Sequence, residues 1–402
     1  MTKKGRPLFF PLYLDCMKAI RFPFLILFYF LFVGGVFGHP LSDSAKISLL
    51  TCSPGAELYS IFGHSAVWIY DPATQTDEVY GYGTFDFNTD NFYLKFVRGK
   101  LMYSLDVSSY RGFQRQYEYE QRSVKEQELV LTSAEKQQLY NELLLNIRPE
   151  NREYKYDFFF DNCATRIRDL LERVESNKLK WQPAQDDKTY RDLLHEYLRP
   201  SPWAEIGIDL VIGSKADAKA DTRQRMFLPD YLSNGFENAM LSGKKMVAPA
   251  KNKLSYPPAA LPDAGVLPWS IFSFLLLLHI YTLFQPADSK MRYTLDGISF
   301  FVAGLLGLVM TLLWLGTDHQ ATYNNYNVFW ALPFHLIAAF QLKKVGESKI
   351  WKNYFRIASV LGVLTFVFLF AGIQIPPIHV LPFILALVVK CGMYGWRKEV
   401  SA

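Results

Sequence analysis

Apolar and polar positions divide this chain into two halves with different periods. Between about residues 42 and 243 short alternating stretches are separated by turn residues, whereas beyond residue 266 apolar positions merge into long runs. In the first half, residues 46–50, 64–70, 78–83, 101–107 and 125–131 read as strands. Ser53-Pro54-Gly55 marks a turn, and Asp71-Pro72 ends the second strand ahead of its hairpin partner at 78–83. Thr132 and Glu135 form a capping box for a helix that runs to about Ile147 and stops before Pro149. A further helix follows Asp161-Asn162, either of which is a good N-cap. It carries Ile167, Leu170, Leu171 and Val174 on one face.

The apolar runs of the second half lie at about 266–284, 296–316, 327–342, 355–373 and 376–392. The first, second and fourth are long enough to span a bilayer. Pro333 interrupts the third, and Pro377 and Pro382 the fifth. The segments after the first and third runs carry Lys290, Arg292, Lys343, Lys344, Lys349, Lys352 and Arg356, and the tail carries Arg397 and Lys398. The loops after the second and fourth, 317–327 and 374–377, hold no Lys or Arg. Basic residues favour the cytoplasmic side, so five spans put the C-terminus in the cytoplasm and the mixed half outside. An export signal leads to the same orientation. Met17-Lys18-Ala19-Ile20-Arg21 is followed by an apolar stretch at 22–37 and by Gly34, Gly35 and Gly38. Residues 1–38 therefore read as a signal peptide, with Met17 as the start and 1–16 as an upstream extension. The expected organisation is an exported domain at 39–248, a Pro-rich linker at 249–265 and a membrane domain at 266–402.

Composition narrows the chemistry. The net charge of +5 over 402 residues gives no case for nucleic acid. No close cluster of His, Cys and Asp has metal-ligand spacing, and no cofactor motif is present, so neither a metal nor a cofactor is expected. Of four cysteines, Cys16 lies in the signal region and Cys391 in the last apolar run, which leaves Cys52 and Cys163 in the exported half. They would make one disulfide, or else one is a free reactive thiol. Cys163 falls in the first turn of its helix, where the dipole and free N–H groups favour a thiolate and an oxyanion. His64, at the head of a strand in Phe62-Gly63-His64-Ser65, is the natural base. His39 sits at the expected new N-terminus, and His195 reads as a helix-surface residue. A third group orients the imidazole in such pairs, and Asp71, Glu78, Tyr80, Tyr82 and Asp86 are all in range. Cys52 is expected to pack. Asp318 and His319 fall in the outer loop after the second span, either as part of a lipid or amine site or as interfacial loop beside Trp314, Tyr323, Tyr326 and Trp330.

Several motifs together resemble one family. Thr51-Cys52-Ser53-Pro54-Gly55, Phe62-Gly63-His64-Ser65-Ala66, Tyr82-Gly83-Thr84-Phe85-Asp86-Phe87 and Asp161-Asn162-Cys163 are similar to the periplasmic domain of the Lnb-type lipoprotein N-acyltransferases of Bacteroidota. Thr317-Asp318-His319-Gln320-Ala321-Thr322 and the stretch 325–333 extend the likeness to the membrane half. One departure is Gly81, where Asn is expected. Asn162-Cys163 also resembles, more distantly, the nucleophile motif of permuted NlpC-type enzymes, and His precedes Cys as in circularly permuted papain-like domains.

The resemblance implies an α+β class: a circularly permuted papain-like (NlpC-type) domain, then an all-α transmembrane bundle of about five helices. It implies a multi-pass protein of the bacterial inner membrane with its N-terminal domain in the periplasm. Cys163 would take an acyl chain from a membrane phospholipid and pass it, as a thioester, to the α-amine of a diacylated lipoprotein, with His64 as acid and base. Asn162, Ser65, Asp318 and His319 are candidate substrate contacts, and Tyr82, Asp86 and Asp71 candidate orienting groups. Two other readings are a membrane-anchored NlpC-type hydrolase of cell-wall peptide or lipid ester, and a non-catalytic binding module. Several spans favour a substrate at headgroup level, since anchoring alone needs one.

Overall fold

The computed structural model describes residues 39–259, 266–286 and 288–396. The expected signal segment and Met17 lie outside the described residues. The first half is built on one antiparallel sheet. Its strands are β1 (Lys46–Cys52), β2 (His64–Asp71), β3 (Thr76–Thr84), β4 (Met102–Ser109), β5 (Val124–Glu128), β6 (Glu153–Lys155) and β7 (Lys251–Leu254), in the order β7-β5-β1-β2-β3-β4-β6. The helices of this half include α1 (Phe92–Val97), α2 (Tyr110–Tyr119), α3 (Ser133–Asn146), α4 (Cys163–Glu175), α5 (Tyr190–Leu198), α6 (Pro202–Val211) and α7 (Pro229–Asn238).

Strand alternation sorts side chains between two cores. Ile47, Leu49, Val67, Ile69, Tyr80 and Tyr82 face one way and pack with Ile167, Leu170 and Leu171 of α4 and Leu139 and Leu143 of α3. Leu50, Cys52, Ala66 and Val79 face the other way, under Phe113 and Tyr117 of α2. Burying each large aliphatic side chain contributes about 1.5–3 kcal/mol, enough for the α4 stripe to fix that helix against the sheet. The Thr132–Glu135 capping box is present at the start of α3. Two elements lie where the apolar pattern gave no signal. The α2 helix buries only Phe113 and Tyr117. Strand β7, inside the stretch read as linker, pairs with β5 at the sheet edge.

The membrane half departs from the expected lengths. The first apolar run forms α8 (Pro268–Leu283), a helix of only 16 residues. The second and fourth form α9 (Lys290–Gly316) and α10 (Lys349–Phe370). The fifth forms α11 (Leu381–Gly395), which with the preceding turn reaches 18 residues. Among the described residues three helices, α9, α10 and this last one, are thus long and apolar enough to cross a membrane. The third run is not a continuous helix. It breaks into a 3-10 turn, Tyr326–Phe329, and one α-turn, His335–Ala338, on either side of Pro333. Asn327, Trp330, Ala331, His335 and Ala338 of this stretch are buried in protein, where irregular backbone at membrane depth is tolerated. A Cβ at Gly307 of α9 would lie 1.6 Å from the Ala331 carbonyl oxygen, so only glycine permits this approach. Inside the bundle Asp296 gathers His279 at 3.0 Å, Lys390 at 3.1 Å and Tyr394 at 2.8 Å.

The two halves are joined by main-chain pairs and by side chains that reach main-chain groups. Gly213 donates to the Ala321 carbonyl at 2.8 Å and Ser214 to that of Asn324 at 3.1 Å. Asn325 reaches the Leu210 carbonyl at 2.6 Å, and the Ile375 N–H meets Asp217 at 3.2 Å. The contacting loops, after α9 and α10, are the two without Lys or Arg, and Lys290, Arg292, Lys349, Lys352 and Arg356 lie toward the opposite ends of those helices. A Cβ on Gly213 would stand 1.9 Å from the Tyr323 carbonyl oxygen, with main chain on both sides of the clash. Gly213→Ala is therefore expected to cost about 1–3 kcal/mol at this seam. The measurements are a lowered Tm in detergent and faster elastase cleavage between residues 255 and 267, after the alanines there; an unchanged cleavage rate would contradict the role given to the seam.

Candidate active site

The loop before α4 is folded so that Cys163 begins the helix at a fixed point. Asp157 accepts the N–H groups of Phe159 and Phe160 at 3.0 Å each. Asn162 is the N-cap: its Oδ1 accepts from Ala164 at 2.9 Å and Thr165 at 3.0 Å, and the Thr165 hydroxyl accepts the Asn162 N–H at 2.7 Å. The Asn162 amide nitrogen donates to the carbonyls of Phe158 at 2.7 Å and Phe227 at 2.9 Å. Asn162 is therefore fully engaged in holding the turn. Asp161 holds Arg166 bidentately at 2.6 and 2.8 Å, and Arg166 lies 3.5 Å from the centroid of the Tyr154 ring.

Cys163 is buried, and the main-chain N–H groups of Ser65, Ala164 and Cys163 itself bear on its thiol. Burial pushes the thiol up; these N–H groups pull the other way and do not prevail. Desolvation thus outweighs the helix terminus, contrary to the expectation of a resting thiolate. The Ser65 hydroxyl is buried with no protein partner.

His64 opens β2 directly after Gly63, whose φ of 80° turns the chain into the strand. A Cβ on Gly63 would come 2.7 Å from the Cys52 carbonyl oxygen. Burial, reinforced by Arg122 and opposed by Glu120, lowers the imidazole to about 4. A Cβ at Gly81 would meet His64 Nε2 at 3.6 Å, and one at Gly83 would lie 3.9 Å from Cys163 Cβ. These two glycines keep open the space around both groups.

His64 and Cys163 line one cavity of about 500 Å³. Its walls are mostly aromatic and aliphatic, including Phe62, Phe85, Leu101, Tyr103, Tyr156 and Phe158, and it extends to Ile208 of α6 and His319 of the membrane half. A second cavity of about 340 Å³ also touches His64 and is more polar, with Ser60, Asp106, Ser108, Gln116, Glu120 and Arg122.

Of the candidate orienting groups, Tyr82 alone lines the cavity shared by His64 and Cys163. Asp71, at the far end of β2, is bonded by Ser42 at 2.6 and 2.7 Å. Asp86 turns back onto Asn88 at 2.8 Å, and Glu78 accepts from Tyr80 at 2.7 Å. The groups acting on His64 electrostatically are instead Glu120 and Arg122, which pair with each other at 2.8 Å just beyond α2. Nothing in the sequence pattern singles them out. His319 reaches the cavity and bonds the Phe96 carbonyl at 2.9 Å, whereas Asp318 pairs with Lys155 at 2.9 Å. Cys52 and Cys163 are both free; Cys52 packs against Tyr117 and burial pushes it up to about 12.

His195 is not a surface residue. It bonds Asp209 at 3.0 Å, and Asp209 in turn meets Arg191 at 2.5 Å. The fold also gathers His195, Glu205 and Asp209 within 4.8 Å of one another, a grouping hidden in the sequence because it joins α5 to α6. With Arg191 on Asp209 and bonded to Asp217 at 2.8 Å, the chemistry there is that of a buried ion network.

Two family models match the chain: the Lnb N-terminal periplasmic domain over residues 41–196, and the Lnb transmembrane domain over residues 262–399. No curated protein and no solved structure matches it.

With His64 neutral down to about pH 4 and the thiol raised, the resting pair is imidazole and thiol. Iodoacetamide labelling of Cys163, read by intact mass, is expected to climb throughout the neutral and alkaline range. A rate already at its plateau in mildly acid solution would mark a preformed ion pair and contradict this.

Proposed function

The chain belongs to the Lnb family, and from that membership we propose that it is a lipoprotein N-acyltransferase with Cys163 as nucleophile and His64 as acid and base. The observation that carries the reading is the apolar cavity that contains both residues and opens toward the membrane half. An acyl chain fits such walls, whereas a cell-wall peptide calls for a polar groove.

In the first step His64 takes the thiol proton as sulfur attacks the ester carbonyl of a phospholipid. The N–H groups of Ser65 and Ala164 that bear on the thiol are suited to the oxyanion that forms beside it. The ester C–O bond then breaks, His64 returns the proton to the departing oxygen, and a lysophospholipid leaves. In the second step the α-amine of a diacylated lipoprotein attacks the thioester. An amide forms, the C–S bond breaks, and the amine proton passes through His64 to the thiolate. The polar cavity beside His64 gives the amine and its peptide an approach separate from the lipid, and the amine attacks as the neutral base, its ammonium proton having been given up to solvent. The reaction uses no metal or cofactor. In this reading the sheet domain is a permuted papain-like fold in the periplasm, the protein is a multi-pass resident of the bacterial inner membrane, and its C-terminus is cytoplasmic.

Three outcomes are expected. Wild-type protein mixed with phospholipid, acceptor withheld, gains the mass of one fatty acyl chain on Cys163. Peptide cleavage without any adduct would instead favour a hydrolase. Cys163→Ala should abolish lipoprotein N-acylation, and His64→Gln should slow it by about 10²–10⁴-fold, both read by mass spectrometry of lipoprotein N-termini.

A further inference from the structure

The connection between β3 and β4 is apolar on the wrong side for a water-soluble domain. Helix α1 within it buries none of its residues. Tyr93 is 77% exposed, Leu94 58% and Phe87 65%, and the neighbouring Tyr59, from the β1–β2 loop, 72%. An exposed cluster of this size marks an interaction surface.

Its position identifies the occupant. The same connection rests on the end of α9: the Asp318 N–H donates to the Arg98 carbonyl at 3.0 Å, and His319 bonds the Phe96 carbonyl at 2.9 Å. Only Thr317 separates these contacts from the last residue of α9. Exposed Leu312 and Leu315 occupy the final turns of that helix, so the apolar patch and the lipid-facing surface of α9 meet at one level. Lys95, Arg98 and Lys100 flank the patch, and Lys155 lies beside them on Asp318. Apolar residues rimmed by cations suit the boundary between acyl chains and phosphate headgroups. Phe96 and Tyr59 are also walls of the cavity that contains Cys163, so the outside patch and the cavity share side chains.

We propose that residues 85–101 dip into the adjoining leaflet and form the portal by which a phospholipid passes its acyl chain sideways to Cys163, its phosphate held by the Lys95–Lys100 rim. This rests on the acyl-transfer reading above and adds where the donor enters.

The test uses the full chain in nanodiscs of phosphatidylethanolamine and phosphatidylglycerol, with the double variant Tyr93→Asp, Leu94→Asp. Acylation of Cys163 by bilayer phospholipid should fall at least about tenfold, while acylation by water-soluble p-nitrophenyl butyrate stays within about twofold of wild type. Equal rates with the bilayer donor would overturn the portal, and so would equal losses with both donors, which would mean general damage to the site. If wild type takes an acyl chain from neither donor, it is the acyl-transfer reading that falls. A measurement independent of catalysis then decides the portal. The fluorescence of Tyr93→Trp should be quenched by brominated phospholipid in the same nanodiscs, and absence of quenching would refute immersion.

Discussion

The arrangement of this protein depends on the backbone seam between the loop after α6 and the outer loops of the membrane helices. A water-soluble sheet domain tethered by a Pro-rich segment would otherwise drift over the bilayer. Here main-chain groups of Gly213, Ser214, Ala321 and Asn324 pair directly, and the side chains of Asn325, Asn327 and Gln374 reach the carbonyls at 209–212. Beside the seam Arg191 binds Asp209 and Asp217, and Asp217 accepts the Ile375 N–H. Buried charges of this kind add little net stability, but they penalise any other register once their partners are in place. The cavity around Cys163 can run from one half to the other only because this register is held.

Within the site, two opposed effects meet at one sulfur. Helix-terminal and strand N–H groups favour a thiolate, and exclusion of water disfavours it more. His64 is neutral for the same reason. In the proposed acyl-transfer reading, a neutral pair in a mostly apolar cavity is suited to a thioester that must outlast the departure of one product and the arrival of the next reactant. The same N–H groups are then better used on charge that develops during reaction than on charge held at rest.

Much of this was legible in the residues, and the limits have physical causes. Strands β1 to β4 showed because one period of two sorts their side chains between separate cores. The start of α4 showed because Asn162 and Thr165 satisfy each other locally, whatever lies around them. By contrast, α2 has just two core residues on a polar surface, so its pattern is faint, and Glu120 and Arg122 gain meaning only from where α2 sets them. Strand β7 carries Lys251, Asn252 and Lys253 because an edge strand needs no apolar alternation. The third apolar run had the composition of a span; its break depends on Pro333 and on Ala331 lying against Gly307. His195 became part of an ion network because the next helix, α6, folds back and sets Glu205 and Asp209 beside it, which the pattern of α5 alone does not show.

Strand β7 also sets an order of events. It is the last strand of the sheet, and it closes the edge at β5 from more than a hundred residues away in sequence. The sheet cannot be completed until residue 254 has joined it, and α8 begins only at Pro268. In a chain made from its N-terminus, the sheet domain thus acquires its final strand just as the first membrane helix is being delivered. The loops that anchor it, around residues 321 and 375, come later still. All the strands of the sheet are thus in hand before the loops that will anchor it are made, so the domain has the chance to fold before its membrane half has assembled.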